Sequence, residues 1–157
     1  MKNRKKGFSL VELLIVLAVI AALIATITPV AMNAIKKAKA TQVAQNLKTL
    51  ATALENAAYV NGVDSNGRIV GVTKLSDLGR DINGTYYGVA YTETTSGKFK
   101  AVVFTTDSVD EEEVIKVLKD ATKTSFSASY NTADYLTGGK TDNTDMTVRY
   151  EFEFTVY

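Results

Sequence analysis

The chain has 157 residues, with 18 Lys and Arg against 17 Asp and Glu, a formal net charge of +1, and neither Cys nor His. This length suits one domain, since domains typically hold about 100 to 200 residues. Without thiols or imidazoles, disulfides, ordinary zinc sites and the common nucleophile–base pairs are excluded. We therefore expect no enzyme activity and no cofactor. The nearly balanced charge also lacks the basic footprint of nucleic-acid binders, so no nucleic-acid contact is predicted.

An apolar segment from Gly7 to Met32 dominates the first part of the chain and carries one charge, Glu12. Its residues 8–28 contain neither Gly nor Pro, and about 20 helical residues are enough to span a hydrocarbon core. A secretory signal peptide is disfavoured, because its apolar region runs only about 7 to 15 residues before a small-residue cleavage site. A plain single-pass anchor fits the length. It leaves Glu12 unexplained, since a carboxylate inside a membrane usually serves a function.

Residues 5–13 read KKGFSLVEL and closely resemble the leader and cleavage motif of the type IV prepilin family, which includes secretion-system pseudopilins and competence pilins. The resemblance implies that a prepilin peptidase cuts between Gly7 and Phe8 on the cytoplasmic side and methylates the new amine of Phe8. It also implies that Glu12 neutralises the Phe8 amine of a neighbouring subunit during assembly, and that Pro29 kinks the helix.

One departure from the family pattern lies between Glu12 and Pro29. Many family members carry a glycine there, where the helix loosens inside some filaments, whereas this chain has Ala21 and Ala22. Alanine is the best helix former. We therefore expect any unwinding inside a filament to be short and confined to Thr26–Pro29.

The function implied by the resemblance is that of a structural subunit of a type IV pilus, serving adhesion, motility or DNA uptake. A pseudopilin of a type II secretion system is the alternative, and a membrane-anchored enzyme with a soluble head is less favoured. The implied partners are other copies in a helical filament, the prepilin peptidase, the inner-membrane pilus assembly platform and, before assembly, membrane lipid. The precursor would cross the cytoplasmic membrane once and later form a cell-surface pilus.

The orientation of the precursor, with its N-terminus in the cytoplasm, follows mainly from the resemblance. Cytoplasmic flanks of membrane helices are enriched in Lys and Arg. Here the two flanks differ little, because four basic residues precede the apolar segment and three follow it: Lys2, Arg4, Lys5 and Lys6, then Lys36, Lys37 and Lys39.

An amphipathic pattern continues the helix beyond Pro29. Apolar residues recur here at steps of three and four: Val43, Leu47, Leu50, Leu54 and Ala57 or Ala58. This spacing predicts a helix with one apolar stripe to bury. Asn61-Gly62 should end that helix. The expected fold is α+β, a long kinked N-terminal helix whose C-terminal half packs on an antiparallel β-sheet head. We divide the chain into a cleaved leader (1–7), a transmembrane and filament-core helix (8–32), the amphipathic half of that helix (33–60) and the head (61–157).

Within the head, segments rich in aromatic and β-branched residues predict an antiparallel hairpin of two strands, Tyr86–Glu93 and Lys98–Thr105, and Phe126–Tyr130 is a further candidate strand. Strict alternation predicts a last strand with one aromatic and one charged face. Its aromatic face, which should cover the helix stripe, comprises Val148, Tyr150, Phe152, Phe154 and Val156. A short helical turn is expected at Lys74–Leu78. Ser108 and Glu111 have the spacing of a capping box, which predicts a second helix over Val109–Thr122.

Acidic residues in the head raise the question of a metal site, and we predict none. Asp110–Glu113 fall in the first turn of the expected second helix, where negative charge complements the helix dipole. Asp142, Asn143 and Asp145 have oxygen ligands of the kind that calcium prefers, but the bidentate glutamate of an EF-hand is missing. These three residues are a low-probability calcium site.

Overall fold

The computed structural model describes residues 7–123, 130–141 and 145–157. The elements are, in chain order, the helix α1 (Leu10–Asn61), the strands β1 (Tyr87–Thr95) and β2 (Lys98–Thr105), the helix α2 (Glu111–Val117), the short strand β3 (Ala121–Thr122) and the strand β4 (Val148–Thr155). Two 3-10 turns occupy Leu75–Asp77 and Thr132–Asp134. The α+β class is confirmed. The chain divides into two compact units, one ending at Lys36 and the other running from Lys37 to Tyr157.

The first unit contains the apolar part of α1, and all of its described side chains are exposed. The helix runs continuously through Pro29, which has no N–H to donate to the carbonyl of Ala25. Two threonine hydroxyls donate to carbonyls in the turn before the proline: Thr26 Oγ1 to Leu23 O at 2.9 Å and Thr28 Oγ1 to Ile24 O at 2.7 Å. These acceptors are not the Ala25 carbonyl, so the two bonds are the local hydroxyl-to-carbonyl contacts that threonine makes inside helices, which can bend them slightly.

The second unit begins with the amphipathic part of α1, whose predicted stripe is confirmed. Its buried residues are Ala40, Val43, Ala44, Leu47, Leu50, Ala51, Leu54 and Ala58. The helix ends at Asn61 because Gly62 adopts a positive φ of 73°, and the Gly62 N–H donates to Ala58 O at 3.1 Å. This is the left-handed C-terminal cap that glycine favours.

A four-stranded antiparallel sheet follows, in the order β1-β2-β4-β3. The predicted hairpin is confirmed, with β2 at the expected bounds and β1 shifted to Tyr87–Thr95. Val103 of β2 lies opposite Val89 of β1 and Tyr150 of β4. One face of the sheet therefore joins the stripe of α1 in a single core, which also includes Leu75 of the first 3-10 turn.

The opposite face of the sheet is also covered, which the sequence did not predict. A second, smaller core contains Ala90, Val102 and Phe104, with Tyr130, Tyr135 and Met146 packed against it. The Phe104 and Tyr135 rings meet edge to face at 6.2 Å between centroids. On β4, part of the expected charged face is withdrawn from solvent: Arg149 is 9% exposed and its Nη1 lies 2.6 Å from Glu151 Oε1, whereas Glu153 is exposed. Burial of Tyr130 nearby raises its pKa.

Two local predictions for the second helix were wrong. Asp110, rather than Ser108, caps α2, because its Oδ1 accepts the Glu113 N–H at 3.3 Å. The Ser108 carbonyl instead accepts a hydrogen bond from Lys39 Nζ at 2.6 Å. The helix ends at Val117 instead of Thr122, since the chain leaves helical geometry at Leu118 and residues 121–122 pair with β4. In the predicted strand Phe126–Tyr130, residues 126–129 lie outside the described residues and Tyr130 is not in a strand.

Candidate processing and assembly site

The bond expected to be cut lies in non-helical chain ahead of α1. Gly7, Phe8 and Ser9 have no regular secondary structure, and Phe8 is 89% exposed. A Cβ added at Gly7 would meet no described atom within 4 Å. Packing within the described residues therefore does not call for glycine at this position. A requirement for glycine would have to come from a partner that binds here.

Ser9 and Glu12 form a reciprocal pair of hydrogen bonds at the start of α1. The Ser9 N–H donates to Glu12 Oε2 at 2.8 Å, and the Glu12 N–H donates to Ser9 Oγ at 3.2 Å. This is a capping box, in which two backbone N–H groups without helical partners are satisfied by side chains. The Ser-x-x-Glu spacing signals it in the sequence, but Glu12 was considered there only for its charge.

Glu12 is the only charged residue from Gly7 to Ile35. Its apolar neighbours Val11 and Leu13 are 62% and 53% exposed. Among the described residues, α1 is the one helix long and apolar enough to cross a membrane by length and composition, with a mean hydropathy of 2.9 in its most apolar window. A surface this apolar needs lipid or other protein to cover it. Under such a cover, a carboxylate without a cationic partner would carry a large desolvation cost.

Comparison with known proteins covers this same stretch. Residues 2–28 match the family model of the prokaryotic N-terminal methylation motif. The chain carries the type IV pilin and pseudopilin signature. The match includes Gly7, Phe8, Ser9 and Glu12 and stops one residue before Pro29. No curated protein and no solved structure matches the chain. The pilin signature is typical of structural proteins. The apolar N-terminal helix of this chain fits a membrane-anchored precursor.

The charge pair predicted between Glu12 and the Phe8 amine of another subunit, and the helix kink predicted at Pro29, stay predictions, because the structure contains one chain. Glu12 meets Ser9 within the chain, and its expected partner belongs to another subunit. Pro29 lies inside α1 as expected, with the threonine hydrogen bonds immediately before it.

Of the three residues named above as a calcium site, the structure describes only Asp145. Asp142 and Asn143 lie outside the described residues, while Asp145 occupies an exposed turn. No group of three metal-binding side chains occurs within the part of the chain that the structure describes.

A groove of about 660 Å³ opens on the head between residues 64–73 and 133–137. Arg68 Nη2 lies 3.3 Å from Asp134 Oδ1, and its guanidinium stands 5.8 Å from the ring centroid of Tyr91. The backbone N–H groups of Arg68 and Asn66 hold the pKa of Asp64 below its ordinary value. Asp134 thus forms an ion pair with Arg68, and Asp64 holds the turn at residues 64–68 through backbone hydrogen bonds. Both interactions stabilise the loop that borders the groove.

Proposed function

We propose that this chain is the precursor of a filament subunit, cut between Gly7 and Phe8 by a prepilin peptidase, methylated at the Phe8 amine and polymerised into a type IV pilus. The observation that carries the proposal is the methylation motif at residues 2–28, which coincides with an exposed, non-helical bond directly ahead of a long apolar helix. A peptidase needs its substrate bond accessible. Gly7 and Phe8 are exposed and non-helical, so they meet that need without local unfolding.

The apolar helix has two successive environments in this proposal. Before assembly, residues 8–32 cross the cytoplasmic membrane with residues 1–7 in the cytoplasm. After processing, the same residues pack against other copies in the filament core, continuous with the amphipathic residues 33–60, while the head, residues 61–157, forms the outer surface. Exposure of the apolar side chains in the single chain supports this proposal, because either environment would cover them.

The charge of Glu12 accounts for assembly in this proposal. Inside a filament core, an unpaired carboxylate or amine would carry a large desolvation penalty. Each Glu12 therefore pairs with the Phe8 amine of a neighbouring subunit. Removing one partner of such a buried pair typically costs about 3 to 5 kcal/mol. The cost recurs at every subunit, so a long polymer is very sensitive to it. Head contacts between subunits are heterologous, as an open helical filament requires.

The proposed partners are the prepilin peptidase, the inner-membrane assembly platform, membrane lipid before assembly, and further copies of the chain. A pseudopilin of a type II secretion system is the second candidate, because the methylation motif is shared by pilins and pseudopilins. If removal of calcium lowers the melting temperature of the isolated chain, the pseudopilin becomes the better assignment, since a ligand stabilises only the state that binds it.

Processing is tested by replacing Gly7 with valine in cells that produce the filament. Because a Cβ added at Gly7 meets no described atom within 4 Å and Gly7 lies ahead of α1, the variant should fold normally. We expect it to retain residues 1–7, as measured by the intact mass of the membrane-bound chain, and to form no filaments. Asn3→Ala, a change inside the leader but away from the bond, is the matched control and should be processed. Normal removal of the leader from Gly7→Val would contradict the proposed cleavage site.

A further inference from the structure

The turn ahead of β1 carries the sequence Asn83-Gly84-Thr85, which has the spacing at which a transferase attaches a glycan to an asparagine side chain. No other asparagine of the chain has Ser or Thr two residues after it. We propose that Asn83 is an N-glycosylation site, and that it takes a saccharide from a lipid pyrophosphate carrier. This inference rests on the proposed function, because N-glycosylation belongs to secreted chain and the proposed function places the head outside the cytoplasmic membrane.

The acceptor residues lie on an exposed turn, which is the structural context that this motif requires. Asn83 and Thr85 are both exposed and lie outside helices and strands. The Tyr86 N–H donates to Asn83 O at 3.0 Å, which closes the turn. The middle residue faces the protein instead, since a Cβ added at Gly84 would overlap the carbonyl oxygen of Gly138. The turn is therefore held against the head at its middle residue, while the residues on either side face solvent.

The fold uses one side-chain polar atom of the two acceptor residues and leaves the others unused. The Thr85 N–H donates to Asn83 Oδ1 at 3.0 Å, a local turn that asparagine and aspartate side chains both form. Within the described residues, Asn83 Nδ2 and Thr85 Oγ1 take part in no hydrogen bond. By contrast, Nδ2 of Asn61 donates to Val70 O at 2.9 Å. The turn alone would be served equally by aspartate, whereas glycan attachment needs both the amide nitrogen and the hydroxyl.

The chemistry of the site is the transfer of a saccharide from its carrier to an amide nitrogen. The donor holds the sugar through a bond between the anomeric carbon and an oxygen of the pyrophosphate. Asn83 Nδ2 forms a new bond to that carbon while the carbon–oxygen bond breaks. The lipid pyrophosphate leaves with the electron pair, and the amide gives one proton to a base of the transferase. No oxidant or reductant takes part, so the donor and the transferase are the only further components.

The test is mass spectrometry of the full chain isolated from the membranes and filaments of producing cells. Trypsin cuts after Arg80 and Lys98, so residues 81–98 form one peptide. We expect this peptide to be heavier than its sequence by one or more sugar residues, and fragmentation to place the sugar on Asn83. The added mass should be lost in Asn83→Asp, which keeps the acceptor oxygen of the turn, and in Thr85→Val, which keeps the side-chain shape. Thr85→Ser keeps the hydroxyl and should keep the sugar.

The same digest reports the leader, which separates this inference from the proposed function. If the first peptide begins at methylated Phe8 while residues 81–98 have the unmodified mass, the inference is overturned and the proposed processing stands. A sugar on Asn83 in chains that retain residues 1–7 would support the inference and contradict the processing. Added mass that persists in Asn83→Asp would overturn the inference, because the sugar would then be attached to a different group of the peptide.

Discussion

Replacing Leu50 with alanine tests whether the stripe of α1 and the sheet form one core. Leu50 is fully buried, with 0% of its surface exposed, in the cluster that contains Val89 of β1 and Val103 of β2. Truncating a buried leucine removes transfer free energy and leaves a cavity, at a combined cost of about 3 to 5 kcal/mol. In a chain of this size that corresponds to a fall in melting temperature of about 10 °C or more.

The assay is thermal unfolding of the full chain in a mild detergent, followed by near-ultraviolet circular dichroism of tyrosine. Seven of the eight tyrosines lie in the head, residues 61–157, and the eighth, Tyr59, lies near the end of α1, so the signal reports the unit that runs from Lys37 to Tyr157. Val60→Ala is the matched control, because Val60 is on the same helix and 83% exposed. Exposed substitutions usually change stability by less than about 0.5 kcal/mol. If Leu50→Ala lowers the melting temperature no more than Val60→Ala does, the shared core is refuted.

Three other predictions test the assembly site, the loop at residues 73–77 and the helix near the proline. Glu12→Leu should be processed normally but form few or no filaments, as immunoblots of whole cells and sheared fractions would measure; normal filaments would contradict the charge pair. The N–H groups of Thr73 and Lys74 hold the pKa of Asp77 below its ordinary value of 3.8. The stability that these two hydrogen bonds to ionised Asp77 give the folded state is therefore complete above pH 3.8. It disappears as the pH falls through the lower pKa that Asp77 has in the folded state. Asp77→Asn should accordingly lower the melting temperature at pH 7 and change it little near pH 2; equal losses at both would refute the assignment. In a cryo-electron microscopy map of the filament, any break in α1 should fall within Thr26–Pro29, and a break centred on residues 20–23 would contradict the argument from alanine propensity.

Regular periodicity made much of the fold predictable from the sequence. The apolar steps of three and four from Val43 to Leu54 correctly placed the stripe of α1, because a single helix face is buried there. Strict alternation likewise placed β4, where Val148, Tyr150 and Phe154 are buried in the main core. In both α1 and β4 one face of the element packs against the main core. The spacing of the apolar residues in the sequence therefore predicts the buried face directly.

The second face of the sheet has a sequence signal, the continuous apolar run Ala101–Phe104, which is typical of a strand buried on both faces but does not indicate what covers the second face. Tyr130, Tyr135 and Met146 come from irregular chain, and their contacts with Phe104 and Val102 depend on a fold that brings distant residues together. The early end of α2 has a similar cause, since pairing of Ala121 with Tyr150 decides it and local helix propensity does not.

At the candidate site, the sequence identified the residues but only one of the two interactions of Glu12. A lone carboxylate in an apolar segment predicts a role for its charge, and the Ser-x-x-Glu spacing that begins at residue 9 is a separate signal, which predicts a cap. The same spacing predicts a cap at Ser108, where Asp110 takes that role instead. Two candidate caps close together in the chain compete, and local geometry decides between them.

The most direct test of the central claim is mass spectrometry of filaments sheared from the surface of producing cells. The account predicts a dominant chain that begins at Phe8, lacks residues 1–7 and carries a methyl group on its N-terminal amine. Filaments in which this chain is present with residues 1–7 attached, or in which its first residue is Phe8 without methylation, would contradict the proposed processing.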